Sequence, residues 1–421
     1  MRNFIYIFLI ISLNINLFGN RCLQCHPNKM QQCENSNHFT MKNSINITRK
    51  TWGIKDSNVT LQTLPKSKID IEKPADLVDD FLRRKCLKCH LQSKTVNKTD
   101  NLCLACHNQH NNKLDAFKSK PTQEKCLKCH NNEYIGTDYL GLFPHDYDKA
   151  YRSPISKKGY YPKRPYGIDF HHLEADIHHK KGMSCIDCHK NSKTKKWEDE
   201  VNCKSCHTNI SKKNHLDYHN NLSCSSCHSA WNISSYELNV LRDDTPNYKQ
   251  WKRLKVQEDI YLENFLNKAI KSKQIIKPVM PDYITNELKD GIWYSGWRFR
   301  RWENFFLINS EDGKIKIAKP MYQYRISYKD KNSNIIMDDI NKIDGEKIEV
   351  FLPKEPHTIS KKAKSCEMCH ENKIMLDDNL IYKDILQGKV LKGSKFTKEQ
   401  LERLNSSKYK LQRAKYFYIS H

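Results

Sequence analysis

Past its first twenty residues the sequence has no apolar run long enough to cross a membrane, which takes about 20 consecutive apolar residues. Apolar side chains are scarce throughout, at 38% of 421 residues against 29% charged, and the mean hydropathy is −0.81. Such a chain has difficulty offsetting its conformational entropy by burying its own side chains, so something besides aliphatic packing is expected to hold it together. Acidic residues are also short, 48 against 72 Lys and Arg, which leaves a formal charge of +24. That excess ordinarily points to nucleic acid or an anionic surface. What the chain has in abundance is cysteine, seventeen residues in all.

The N-terminus, MRNFIYIFLIISLNINLFGN, sets Arg2 before an apolar stretch from Phe4 to Leu13, which Asn14 and Asn16 then dilute. Residues 1–20 read as a signal peptide or N-terminal anchor. Leu17-Phe18-Gly19 is a weak cleavage site, so an uncleaved tether to the inner membrane is the alternative. Either way the expected location is the periplasm, where DNA is not found.

Cys-x-x-Cys-His occurs eight times and uses sixteen of the seventeen cysteines. The first four copies are Cys22-Cys25-His26, Cys86-Cys89-His90, Cys103-Cys106-His107 and Cys126-Cys129-His130. Then follow Cys185-Cys188-His189, Cys203-Cys206-His207, Cys224-Cys227-His228 and Cys366-Cys369-His370. Paired Cys-x-x-Cys units can hold zinc or form disulfides, but neither use explains a histidine directly after every pair. Covalent haem attachment explains all three residues: the thiols add to the porphyrin vinyl groups and the histidine becomes an axial ligand of the iron. The expected cofactor is eight covalently bound haem c. Their propionates ionise below neutral pH, so eight haems add about −8 to −16 and leave about +8 to +16. Much of the lysine excess is then internal compensation.

The intervals hint at a second layer. Twelve and 18 residues separate the second to fourth motifs, and 13 and 16 the fifth to seventh. A duplicated three-haem module and simple dense spacing of haems both account for this. Eleven further histidines are available as sixth ligands: His38, His110, His145, His171, His172, His178, His179, His215, His219, His357 and His421. They suffice to close every iron without requiring it, and a closed iron suits electron transfer whereas an open one binds small molecules. The expected ligands are His38, His110, His145, His215, His219 and His357, with one from each adjacent pair, written here as His172 and His179. Cys33, left over, is read as a free thiol ahead of an axial ligand or an intermolecular disulfide.

These readings divide the chain into residues 21–150 with haems 1–4, 151–235 with haems 5–7, a haem-free insert at 236–356, and 357–421 with haem 8 and a C-terminal helix. Residues 131–184 read as an irregular connector. Within the insert, apolar spacing predicts a helix over 249–272, and Asn309-Ser-Glu-Asp-Gly313 predicts a hairpin turn followed by short strands. The segment from Trp293 to Trp302 interleaves aromatics with Arg298, Arg300 and Arg301. It is read as ring packing on haem faces with arginines neutralising propionates, the alternative being an anion or quinol head-group site. Thr397-Lys-Glu-Gln400 is a capping box that opens the last helix.

The eight motifs, the export signal and the spare histidines resemble the periplasmic multihaem cytochromes c of anaerobically respiring bacteria. The resemblance covers residues 22–228 and 357–370 and implies a mainly α fold with much irregular structure, organised around a haem stack, with a small β-containing insert. Octahaem tetrathionate-reductase-like proteins replace one motif histidine by lysine, and octahaem sulfite reductases stretch one motif. Neither departure occurs here. Hydroxylamine-oxidoreductase-like octahaem proteins use ordinary motifs but are longer and end in extended helices. The resemblance implies an electron carrier between a membrane quinol-oxidising partner and a terminal reductase. The alternative is a terminal reductase of a small nitrogen or sulfur compound, with one open haem.

Overall fold

The computed structural model describes residues 27–87, 106–107, 121–130, 136–144, 170–189, 202–210, 215, 219–251 and 257–376, apart from one or two positions at a time within those ranges. The N-terminal segment, the 397–400 capping box and the final helix lie outside the described residues, as do Cys22, Cys25, His26, Cys89, His90, Cys103, His110, His145 and His421. No helix among the described residues is long and apolar enough to cross a membrane.

Among the described residues four helices reach eight residues: α1 (Pro27–Glu34), α2 (Lys42–Thr51), α3 (Pro74–Arg84) and α4 (Ile260–Lys271). Strands β1 (Leu142–Pro144) and β2 (Phe170–His172) pair antiparallel within the segment expected to be irregular. The remaining strands lie between residues 235 and 354: β3 (Ser235–Asp243), β4 (Val279–Pro281), β5 (Leu288–Asp290), β6 (Ile292–Arg301), β7 (Leu307–Asn309), β8 (Ile315–Met321), β9 (Tyr324–Lys329), β10 (Ile335–Ile340), β11 (Lys342–Ile343), β12 (Glu346–Lys347) and β13 (Val350–Lys354). One sheet has the order β10-β9-β3-β6, with β3 and β9 parallel and the other pairs antiparallel. A second has the order β13-β8-β7, all antiparallel, and the turn of residues 310–313 joins β7 to β8.

The expectation of a mainly α chain organised around a haem stack is therefore corrected: the described residues form a mixed α and β fold. Counting attachment motifs shows where cofactors join the chain and says nothing about the backbone of the residues between them. Those residues also build a protein core that the low apolar fraction had argued against. Helix α3 buries Leu77, Val78, Phe81 and Leu82 on one stripe. They pack with Trp293 and Tyr294 of β6 and with Leu262 and Leu266 of α4 in one cluster. Phe81 meets Trp293 at 5.5 Å, and Trp251 stacks on Tyr294 at 3.7 Å. Each fully buried leucine or phenylalanine stabilises by about 1.5–3 kcal/mol, which makes this cluster the largest apolar contribution among the described residues.

Helix α4 is shorter than the predicted 249–272. Tyr248–Trp251 is a separate 3₁₀ turn, and Asp259 caps α4 by accepting from the Leu262 N–H at 3.1 Å. The Tyr283 hydroxyl also donates to Asp259, at 2.7 Å. Asp259→Ala is expected to lower stability by about 0.5–2 kcal/mol, read as a shift in the chemical denaturation midpoint.

A buried ion network ties α3 to the first sheet. Asp80 accepts from Arg84 at 3.1 Å and from the Trp293 indole at 2.7 Å, with Arg242 at 3.5 Å. Arg84 also donates to the carbonyls of Lys289, Asp290 and Gly291. Cys86 follows α3 by two residues, so this network lies directly before the start of the second motif. Trp293 lies in the protein core with its N–H on Asp80, which replaces its expected place on a haem face.

Candidate functional site

In a helical turn, residues i, i+3 and i+4 share one face, so Cys-x-x-Cys-His wound into a turn presents both thiols and the imidazole together. The structure winds it that way. Short helices cover Cys185–Cys188, Cys224–His228 and Cys366–His370, and a 3₁₀ turn covers Cys203–Ser205. The histidine N–H returns to the carbonyl of the first cysteine at 3.0 Å in His130 and 2.9 Å in His189 and His207. A polar residue opens each turn. Ser223 accepts from the Ser226 N–H, Asn202 from the Ser205 N–H and Thr122 from the Lys125 N–H, and Ser184 donates twice to Asp187. The Ser or Asn directly before Cys185, Cys203, Cys224 and Cys366 is an N-cap signal, legible in the sequence, that the motif reading passed over.

Opposite these turns stand histidines from elsewhere in the chain. His130 faces His38 with ring centroids 6.0 Å apart, and His189 faces His357 at 5.9 Å. His207 faces His178 at 6.0 Å, His228 faces His215 at 6.3 Å and His370 faces His219 at 6.2 Å. Each pair joins one motif histidine to one from outside the motifs. Two metal–imidazole bonds of about 2.0 Å, plus about 1.1 Å from each nitrogen to its ring centre, put two axial rings about 6.2 Å apart. The observed separations match that spacing. Ordinary aromatic contacts cover 4.5–7 Å, so distance alone does not discriminate; the repeated motif-to-non-motif pairing does.

The ring nitrogens support the same arrangement. His178 Nδ1 lies 2.8 Å from Asp176 Oδ1, His357 Nδ1 lies 3.4 Å from Asp138 Oδ2, and His228 Nδ1 lies 3.2 Å from the Ser360 carbonyl. An Nδ1–H held this way leaves Nε2 as the lone-pair donor. Burial, with the neighbouring His38, His357 and His189, pushes His130 down to about 4, so it is the neutral form a metal requires.

His178, rather than His179, is the member of its pair that faces a motif histidine; His179 lies beside the Tyr139 ring at 5.2 Å. The pair at 171–172 is on β2, where His172 is exposed and His171 packs against Trp302 at 4.4 Å and Phe143 at 6.4 Å. His107 and Cys106 are described, half-buried and exposed respectively, and Cys33 lies in α1. Asp138 and Asp176 were missed by sequence reasoning because an isolated buried aspartate has no motif; the nearest signal is Asp-x-His at 176–178.

The motifs themselves adjoin. Cys126 shares a thiol hydrogen bond with Cys185, which lowers Cys126 to about 7 and raises its partner. Burial and then Cys224 raise Cys203 to about 11, and Cys227 lies close enough to Cys369 to be raised by burial and that thiol. The second sheet and the segment after it hold the seventh motif. The Ser226 hydroxyl and the Ser223 N–H donate to the Ile315 carbonyl on β8, both at 2.9 Å. The Ser360 N–H donates to the His228 carbonyl at 2.6 Å, and the Lys364 N–H to the Cys227 carbonyl at 2.8 Å. Lys364 Nζ donates to Ser229, and burial pushes its ammonium down to about 8.

No family model, curated protein or solved structure matches this chain.

The donor set can be judged on chemistry alone. Among the described residues no three His, Cys, Asp or Glu side chains converge as a metal-ligand group, so the zinc reading has no Cys₄ or mixed site there. A haem iron asks the protein for two ligands only, one per face, and takes the other four from the porphyrin. The five facing pairs, each with its two thiols on the adjacent turn, fit that demand.

One glycine is required by this geometry. Gly136 has φ +104°, and a Cβ there would meet the His130 carbonyl at 2.6 Å and Leu127 at 2.9 Å. Its N–H donates to Asp138 at 2.9 Å. Gly136→Ala is expected to cost about 1–3 kcal/mol, seen as a lower thermal unfolding midpoint.

Proposed function

We propose that the chain is an exported octahaem c-type cytochrome that carries electrons in anaerobic respiration, between a membrane quinol-oxidising partner and a terminal reductase. The observation that carries this reading is the set of five facing histidine pairs, each uniting a motif histidine with a distant one. Haem, when attached, supplies a one-electron couple at each iron. The chain's own residues do the rest. Sixteen cysteines would form the thioether links, and His26, His90, His107, His130, His189, His207, His228 and His370 would ligate the irons from the motif side. His38, His357, His178, His215 and His219, facing the motif histidines of the fourth to eighth motifs, would hold the opposite side of each haem and suit it to electron transfer rather than substrate binding. Cys126 against Cys185, Cys203 against Cys224, and Cys227 near Cys369 bring successive attachment sites into contact, as a relay requires. Asp176, bonded to His178 and to the segment that carries His357, adjoins the fifth and sixth sites.

The test is haem content and spin state of the protein purified from a host with cytochrome c maturation machinery. Eight haems per chain by pyridine haemochrome and intact mass, with low-spin ferric electron paramagnetic resonance, are expected. A chain without covalent haem overturns the reading. A strong high-spin signal, together with turnover of nitrite, hydroxylamine or sulfite by a reduced dye, replaces the carrier with a reductase.

A further inference from the structure

Two buried carboxylates, Asp138 and Asp176, stand behind two of the facing histidines, and the proposed function gives neither a part in tuning an iron. Asp176 divides its carboxylate between two tasks. Oδ1 accepts from the His178 backbone N–H and lies on His178 Nδ1, both at 2.8 Å, and Oδ2 accepts from the Ile359 N–H at 2.7 Å. Asp138 is used in a related way. Its Oδ1 accepts from the Gly136 and Tyr139 N–H groups at 2.9 and 3.0 Å, which leaves Oδ2 toward His357 Nδ1. Both aspartates are buried, at 4% and 2% exposure, and both are fixed by backbone amides, so neither can swing away from its imidazole. At the seventh motif the corresponding nitrogen of His228 meets a neutral carbonyl, that of Ser360.

We propose that Asp138 and Asp176 are positioning residues that hold His357 and His178 by Nδ1 and lower the reduction potentials of the fifth and sixth haem sites. This rests on the reading of the chain as a multihaem cytochrome. The argument has two parts. A carboxylate on Nδ1–H makes the imidazole a stronger donor through Nε2, which favours the ferric over the ferrous iron. A fixed negative charge in a poorly solvated site favours the more positive metal state in the same direction. Lys319, buried on β8, acts on both Asp138 and His357 and opposes the second effect at the fifth site. A ligand backed by a carbonyl receives neither contribution from a full charge. The chain thereby distinguishes sites whose iron ligands are otherwise identical.

The experiment is a spectroelectrochemical titration of the holoprotein and its Asp138→Asn and Asp176→Asn variants, with Glu311→Gln in the exposed 310–313 turn as control. Expected are eight retained haems in each, and an upward shift of one one-electron step in each asparagine variant, a different step in the two. The Glu311 variant should titrate like the parent. Unchanged potentials with eight low-spin haems overturn the inference while leaving the cytochrome reading intact; absence of covalent haem in the parent protein overturns the reading itself. If an asparagine variant does not accumulate, Asp138→Glu and Asp176→Glu are titrated instead. Retained charge predicts parental potentials, and a rise comparable at both sites and at the control overturns the proposal.

Discussion

Replacing Asp80 by alanine is expected to destabilise the protein by about 3–5 kcal/mol, because removing one member of a buried charge network leaves the others uncompensated. Arg84 is 1% exposed and would retain only the carbonyls at 289–291. Arg242 would keep Asp244, at 3.0 Å, and the Trp293 indole would lose its acceptor altogether. Burial already lowers Arg84 from its usual value, the sign of a guanidinium that depends on its neighbours. Chemical denaturation measures the effect. The comparison is Asp290→Ala, which removes the exposed partner of Lys277 and should leave the midpoint where it was. Equal midpoints for the two variants would show that the network contributes nothing. Because α3 ends two residues before Cys86, Asp80→Ala should also reduce the yield of fully loaded protein.

Replacing His178 by alanine should open one iron in eight, and replacing His179 should open none. The two residues are neighbours in sequence, yet His178 faces His207 at 6.0 Å while His179 lies beside Tyr139. The readout is a high-spin ferric signal of about one eighth of the total iron in the His178 variant, following the loss of one strong axial donor. Its appearance in the His179 variant instead would reassign the ligand. Exogenous imidazole should restore the low-spin spectrum of the His178 variant, since the space the side chain vacated admits the free ring.

These results depend on contacts of very different visibility. The attachment turns are legible because three chemically specific residues recur at a helical interval, and the 309–313 turn is legible because Asp-Gly sits between alternating apolar residues. The ligand pairing is only half legible. Composition shows that enough histidines exist, but deciding between His178 and His179 needs the Asp176 carboxylate, whose role appears only once the backbone has brought it to Nδ1. The Asp80 network is less visible still, because Arg242 and Trp293 are far from it in sequence and ordinary in type. The short strands after the 309–313 turn are legible from their alternation, whereas the pairing of β3 with β6 and β9 is not, because strands distant in sequence carry no mark of their partners.

Residues 357–364 form a single short segment with several attachments. His357 faces His189, Ile359 engages Asp176, Ser360 holds His228, Lys364 holds Cys227, and Cys366 opens the last motif directly after it. A chain is made from its N-terminus, so the fifth to seventh attachment turns emerge well before the segment that fastens them. Until it arrives, those turns lack the contacts that this segment supplies. On the proposed function, that interval is when haem can be attached at the fifth to seventh turns, and residues 357–364 close it.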